Sequence, residues 1–171
     1  TRLGSRREDG PTTNLMDMHL RRRVEPPYWD DGHNNWAGVC ASSIGGCMLH
    51  LQPDRERLAR GLNKVLVVLR RFLDNAFAAD GASDEGLGYW QYGLINFIPF
   101  AEMLRIRTGG RVDLLGLPRL RTIAGYPARV VLSKGRVYSH ADCMPRISLS
   151  PGVTARLADR TGVEELRGLI G

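Results

Sequence analysis

Apolar and polar positions along this chain alternate with a helical period through most of its length. Between Asn35 and Leu51 small and apolar residues dominate, with Val39, Ile44, Met48 and Leu51 at helical spacing. That pattern predicts a helix packed on more than one side. Pro53-Asp54 ends it and opens the next one, over 54–77. There Leu58, Leu62, Val65, Leu66, Leu69, Phe72 and Leu73 follow the i, i+3, i+4 rhythm, and Arg55, Arg57, Lys64, Arg70 and Arg71 form a basic outer face. Asp80-Gly81-Ala82-Ser83 is a turn. A buried, aromatic helix is predicted from about Gly88 to Arg107, ending at Gly109-Gly110, and a shorter one over Leu114–Ala124.

The flanks are less regular. Residues 1–32 carry Pro and Gly punctuation (Gly10-Pro11, Pro26-Pro27, Asp30-Asp31-Gly32) and read as a loop-rich leading segment with one short helix around Leu15–Arg23. Within 129–149, Val130-Val131-Leu132, a Lys134-Gly135 turn and Arg136-Val137-Tyr138 suit a small inserted β-hairpin. A helix resumes after Pro151, from Val153 to Thr161, and a second short one starts at Val163. An apolar inner helix followed by an amphipathic outer one, twice over, predicts a mainly all-α fold. Its expected architecture over residues 33–171 is an incomplete α/α toroid of helical hairpins. No strict repeat is visible.

Composition changes this picture in three ways. Hydrophobic residues make up 43% of 171, ample for a packed core. No apolar run is long enough to span a bilayer, so no membrane partner is expected. The net charge of +6 comes almost entirely from arginine, Lys64 and Lys134 being the only lysines. Arginine's planar fork suits carboxylate, sulfate and phosphate, so an acidic polymer is a reasonable partner, although arginine-rich usage also follows from genome composition. Nucleic acid is disfavoured, because the aromatics cluster in apolar helices instead of alternating with basic residues. Cys40 and Cys47 lie about two helical turns, roughly 10 Å, apart, too far for a disulfide, and free thiols are expected at both and at Cys143. No His/Cys/carboxylate cluster has zinc spacing, and P-loop, GxGxxG, GxSxG and HExxH motifs are absent, so no metal or cofactor is expected.

Candidate chemistry concentrates in two short motifs, His33-Asn34-Asn35-Trp36 and Glu85-Gly86-Leu87-Gly88-Tyr89-Trp90-Gln91-Tyr92-Gly93. Tyr89 and Tyr92 sit at i and i+3, on one face at a helix start whose positive potential favours developing negative charge. Both rings could equally be core filler with backbone-bonded hydroxyls. One of Asn34 and Asn35 is a natural N-cap, leaving the other for a ligand. Glu85, near Asp80 and Asp84, is a candidate general acid, or a helix cap. His19, His50 and His140 show no partner pattern.

Taken together, Asn34-Asn35-Trp36-Ala37-Gly38-Val39-Cys40, Asp80-Gly81 and Glu85 to Gly93 resemble the heparinase II/III-like polysaccharide lyases, over roughly residues 28–107. The resemblance implies an α/α toroid followed by a β-sandwich domain that this chain lacks, with the cleft between them. It implies β-elimination at a 4-linked uronic acid of an acidic polysaccharide, and a periplasmic or secreted location. Carried over, Asn35 or Asn34 neutralises the uronate carboxylate, and Tyr89, with Tyr92 as runner-up, transfers the proton. His33 or Trp36 shapes the sugar-binding wall, and Trp90 offers a stacking platform. The chain is expected to be a fragment carrying half an active site, inactive alone. Two other functions fit the residues: a toroid glycoside hydrolase using Glu85, and a non-catalytic acidic-glycan-binding module relying on the arginines.

Overall fold

The computed structural model describes residues 28–133 and 135–170. The helix expected around Leu15–Arg23 and Lys134 of the expected turn lie outside them. The described chain is mainly helical. Helix α1 spans Asn35–Leu51, α2 Arg55–Asn75 and α3 Leu87–Arg107; the short α4 (Pro118–Ala124) and α5 (Tyr126–Val130) follow. Strands β1 (Val131–Ser133) and β2 (Arg136–Val137) pair antiparallel as the predicted hairpin. Helix α6 (Pro151–Thr161) and a 3-10 helix (Glu164–Leu169) complete it.

Local chemistry accounts for the boundaries. The Asn34 side chain accepts the Trp36 N–H at 3.0 Å and starts α1. Asp54 does the same for α2 through the Arg57 N–H, also 3.0 Å. The helix expected over Leu114–Ala124 begins four residues late. The Asp113 carboxylate takes the N–H groups of Leu115 and Gly116 in a turn, and Pro118 then fills the first helical turn, where its missing N–H is harmless. Helix α4 is therefore 7 residues long against 21 for α3, and this second pair of helices is unequal. Pro99 lies inside α3 on its exposed side, where the carbonyl left without an intrahelical donor can meet solvent.

Helices α1 and α3 run side by side in the same direction. A Cβ on Gly38 would lie 3.2 Å from the Gly93 carbonyl oxygen; one turn and more along, Gly45 faces Phe100 and Gly46 faces Met103. His50 Nε2 then sits 3.3 Å from Met103 Sδ. Helix α2 runs antiparallel to α1, since Gly45 meets Val65 and Gly38 meets Phe72. Phe72 is the keystone of this trio. Its ring is 1% exposed, lies against Gly38 and Gly93 together, and meets Phe77 edge-on at 5.0 Å between centroids. The small residues of α1 admit these rings, which is why that helix lacked a clear amphipathic stripe in the sequence.

A cluster of arginines on Glu102 and the single Arg119 tie the later elements down. Glu102 on α3 accepts from Arg105 at 3.1 Å and from Arg156 of α6 at 3.0 Å, with Arg160 3.2 Å away. Burial works to raise the Glu102 carboxyl, but the hydrogen bonds from Arg156 and Arg105 outweigh it and hold it low. Arg119 of α4 donates to four carbonyls at the end of α2 and beyond: Leu73 (3.0 Å), Phe77 (2.5 Å), Ala78 (2.8 Å) and Ala79 (3.1 Å). A guanidinium there satisfies carbonyls that a helix end leaves open and opposes its dipole. Arg119→Ala is expected to cost about 2–3 kcal/mol in urea unfolding, by loss of charge-assisted hydrogen bonds. Lysine, with a single ammonium, should recover only part of it.

Candidate functional site

Because α1 and α3 are parallel, their N-termini open at one end of the molecule, and both motifs meet there. Gly93 of α3 is the contact point: its Cβ position is 3.5 Å from the Asn35 Cβ. Tyr89 lies one turn before Gly93 and so points along the α1 side of α3, with Tyr92 beside it. Both tyrosines are exposed, at 37% and 45%, and so is Trp36 at 45%. His33 is exposed next to them, its backbone N–H held by the Asp31 carboxylate at 3.1 Å. The core-filler alternative for Tyr89 and Tyr92 does not fit this exposure.

Beyond this end the two helices form a shallow groove without formal charge. Helix α1 contains no Asp, Glu, Lys or Arg, and α3 has none before Glu102. The open sides carry Trp36, Ser43 and Cys47 on α1 and Tyr92, Pro99 and Ile106 on α3. Cys40 is half-buried on this side, and burial pushes its thiol up, keeping it protonated. All three cysteines are free.

Two expected roles change. Asn35 is 5% exposed, and neither amide atom has a partner among the described residues. The close approach of α1 to α3 at Gly38 and Gly93 encloses it. Asn34 keeps the ligand-facing role: its oxygen caps α1 and its nitrogen remains available at the partly exposed rim. Trp90 is 3% exposed; its indole N–H donates to the Ile123 carbonyl at 3.2 Å and its ring packs near Tyr126. It is a core residue with no face left for a sugar. Its position in the helix, on the side away from Tyr89, decides that.

Glu85 lies at the junction of the motifs, its carboxylate accepting the backbone N–H of Asn35 at the start of α1. Partial burial raises its carboxyl above the usual value, and the negative charges of Asp142 and Asp84 add to this; the Asn35 N–H works the other way. Since folding raises this pKa, the favourable contribution is complete below the unfolded value near 4.5 and is lost as pH rises through the folded value. Glu85→Gln should therefore raise the melting temperature at neutral pH, with the gain vanishing in acid, as calorimetry across a pH series would show. A gain that is constant with pH would contradict it.

Sequence reasoning missed the loop after β2. His140 Nε2 donates to the Ser83 carbonyl at 3.3 Å, its Nδ1 is buried without a partner among the described residues, and the Tyr138 ring lies tilted against its ring, 5.8 Å between centroids. Asp142 and Cys143 follow, and Cys143 packs on Gly86, where a Cβ would come within 2.4 Å of its own. Gly86 also has φ +85°, open to glycine alone at little cost, so its identity is fixed twice over. The signal missed was this glycine, read as part of a motif and not as a seat for another loop.

Elsewhere, a cleft of about 900 Å³ lies among Arg121, Arg129, Val163, Glu164 and Glu165. Its arginines are engaged with backbone, Arg121 with the Thr161 carbonyl and Arg129 with those of Gly125 and Asp80. Among the described residues no group of three or more His, Cys, Asp or Glu could hold a metal ion, and no helix is long and apolar enough to cross a membrane. No family model matches the chain.

Proposed function

We propose that this chain is part of a polysaccharide lyase that cleaves a 4-linked uronic-acid polymer by β-elimination. The observation that carries the reading is the exposed aromatic and amide rim (His33, Asn34, Trp36, Tyr89, Tyr92) at the shared N-terminal end of two parallel helices. Two helix N-termini side by side supply positive potential suited to a carboxylate, and that of α3 has no side-chain cap. The resemblance of both motifs to heparinase II/III-like lyases points the same way. In this reading α1 and α3 are inner helices of an α/α toroid, α2 is an outer one, and the protein works in the periplasm or outside the cell, where its substrate is.

Elimination needs three things. The uronate carboxylate must be neutralised, because the carbanion formed at C5 places charge there; the Asn34 amide nitrogen and the first-turn N–H groups of α3 do this. A base must take the C5 proton, the role of Tyr89. The C4–O bond then breaks as the C4–C5 double bond forms, and the departing oxygen takes a proton from the same tyrosine or from Tyr92. Trp36 offers an apolar face to the ring.

A second reading rests on Glu85. Its raised, partly buried carboxyl beside Asp142 has the character of a general acid in a glycoside hydrolase. The two part on product chemistry. A panel of uronic-acid polymers assayed for new ultraviolet absorbance should show unsaturated product for the lyase. Reducing ends without absorbance, abolished by Glu85→Gln, would support the hydrolase instead. A titration of Trp36 fluorescence with uronate oligosaccharide gives a readout independent of turnover. No quenching and no product on any polymer would end both readings.

A further inference from the structure

The positive charge of the described chain is collected on one helix. Helix α2 carries Arg55, Arg57, Arg60, Lys64, Arg70 and Arg71 against only Glu56 and Asp74, while in the other described residues basic and acidic side chains nearly cancel. Its apolar side, through Val65, Val68, Leu69, Phe72 and Leu73, is buried in the core. Arg60, Lys64, Arg70 and Arg71 fall on the opposite, outward side and are exposed, Arg71 with one guanidinium nitrogen on the Asp30 carbonyl at 3.0 Å. From Arg60 to Arg71 the row extends about 17 Å.

Helix stability does not ask for this arrangement. Arg55 stands in the first turn, where the dipole disfavours a cation. Arg70 meets Asp74 only at 3.9 Å, with side chains 80% and 56% exposed, a pair worth little. We propose that the outward face of α2 is a docking surface for a linear acidic polysaccharide, separate from the groove between α1 and α3. This deepens the lyase reading and rests on it for the class of polymer. The shape of the surface favours that class. The row holds no aromatic ring on which a base could stack, which argues against single-stranded nucleic acid, and Val67 is its one exposed large apolar residue, too little for a lipid surface.

The test uses the whole protein and its Arg60→Ser/Arg70→Ser variant, two exposed sites whose side chains do not support the core. Polyuronate binding is measured by titration across a salt series, with single-stranded DNA, duplex DNA and anionic vesicles as comparisons. The wild type should bind polyuronate most tightly. The variant should bind it at least about tenfold more weakly, with the salt dependence reduced by about one counterion per arginine removed. Turnover of short uronate oligosaccharides should be unchanged, since they do not reach α2. Equal polyuronate binding by variant and wild type would overturn the proposal, as would tighter binding of DNA or vesicles. Arginine-dependent polyuronate binding with no unsaturated product on any polymer would leave the docking surface standing and remove the lyase reading alone.

Discussion

Tyr89→Phe is expected to lower β-elimination by about 10³-fold, within the range contributed by one positioned proton-transfer group. The loss should fall on kcat, with KM little changed, because the phenol ring and its contacts remain and only the oxygen that moves the proton is removed. The fold should be unaffected, since this side chain is 37% exposed at the rim of the groove. Tyr92→Phe should cost much less: it stands one position farther around the helix, away from the α1 side and the Asn34 amide. The measurement is the rate of unsaturated product formation by each variant on the best polymer of the panel, with binding followed separately through Trp36. A larger loss in Tyr92→Phe would transfer the proton-moving role to that residue. Full activity in both single variants and in the double variant would remove the tyrosine mechanism.

The second large effect lies beneath the site. Phe72→Ala is expected to destabilise the protein by about 3–5 kcal/mol, the usual cost of emptying a fully enclosed aromatic position. For a chain of this size that is roughly a 10 °C fall in melting temperature. The reason is particular to this core. The ring fills the space that Gly38 and Gly93 leave open where α1, α2 and α3 meet, and it also touches Phe77 and Phe97. Gly38→Ala alone should cost about 1–3 kcal/mol by overpacking, because the new methyl would come within 2.7 Å of that ring and 3.2 Å of the Gly93 carbonyl. In the Phe72→Ala background the same methyl enters vacated space and should cost far less. A double-mutant cycle in urea would therefore show strong coupling between the two positions. Additive losses would mean that the ring and the glycine do not share one space. Because Asn35 is held against Gly93 at this same junction, Phe72→Ala should also loosen the rim of the groove.

Much of this was legible along the chain. The i, i+3, i+4 rhythm of Leu58 to Leu73 specified α2 and its basic outer side, since an amphipathic helix writes its environment directly into its period. Asn34 and Asp54 could be read as caps because capping is local: a side chain bonds an N–H two or three residues on. The hairpin near Val131 and the helix after Pro151 follow from equally local turn chemistry.

What the sequence left open is whatever depends on which surfaces come together. It put Asn35 first, with Asn34 as the alternative, and offered Trp90 beside Tyr89 as though both could reach a ligand. The parallel approach of α1 and α3, set by glycines that admit Phe72 and Phe100, enclosed Asn35 and kept Asn34 at the rim. Rotation by one residue around α3 put Tyr89 in solvent and Trp90 against Ile123. His140 and Asp142 reached Ser83 and Glu85 across more than fifty residues, by way of a hairpin whose own pattern says nothing of where it lands. Caps, periods and turns are decided by neighbours in the chain. Burial, charge environment and the company a side chain keeps are decided by packing, and only the tertiary structure supplies that.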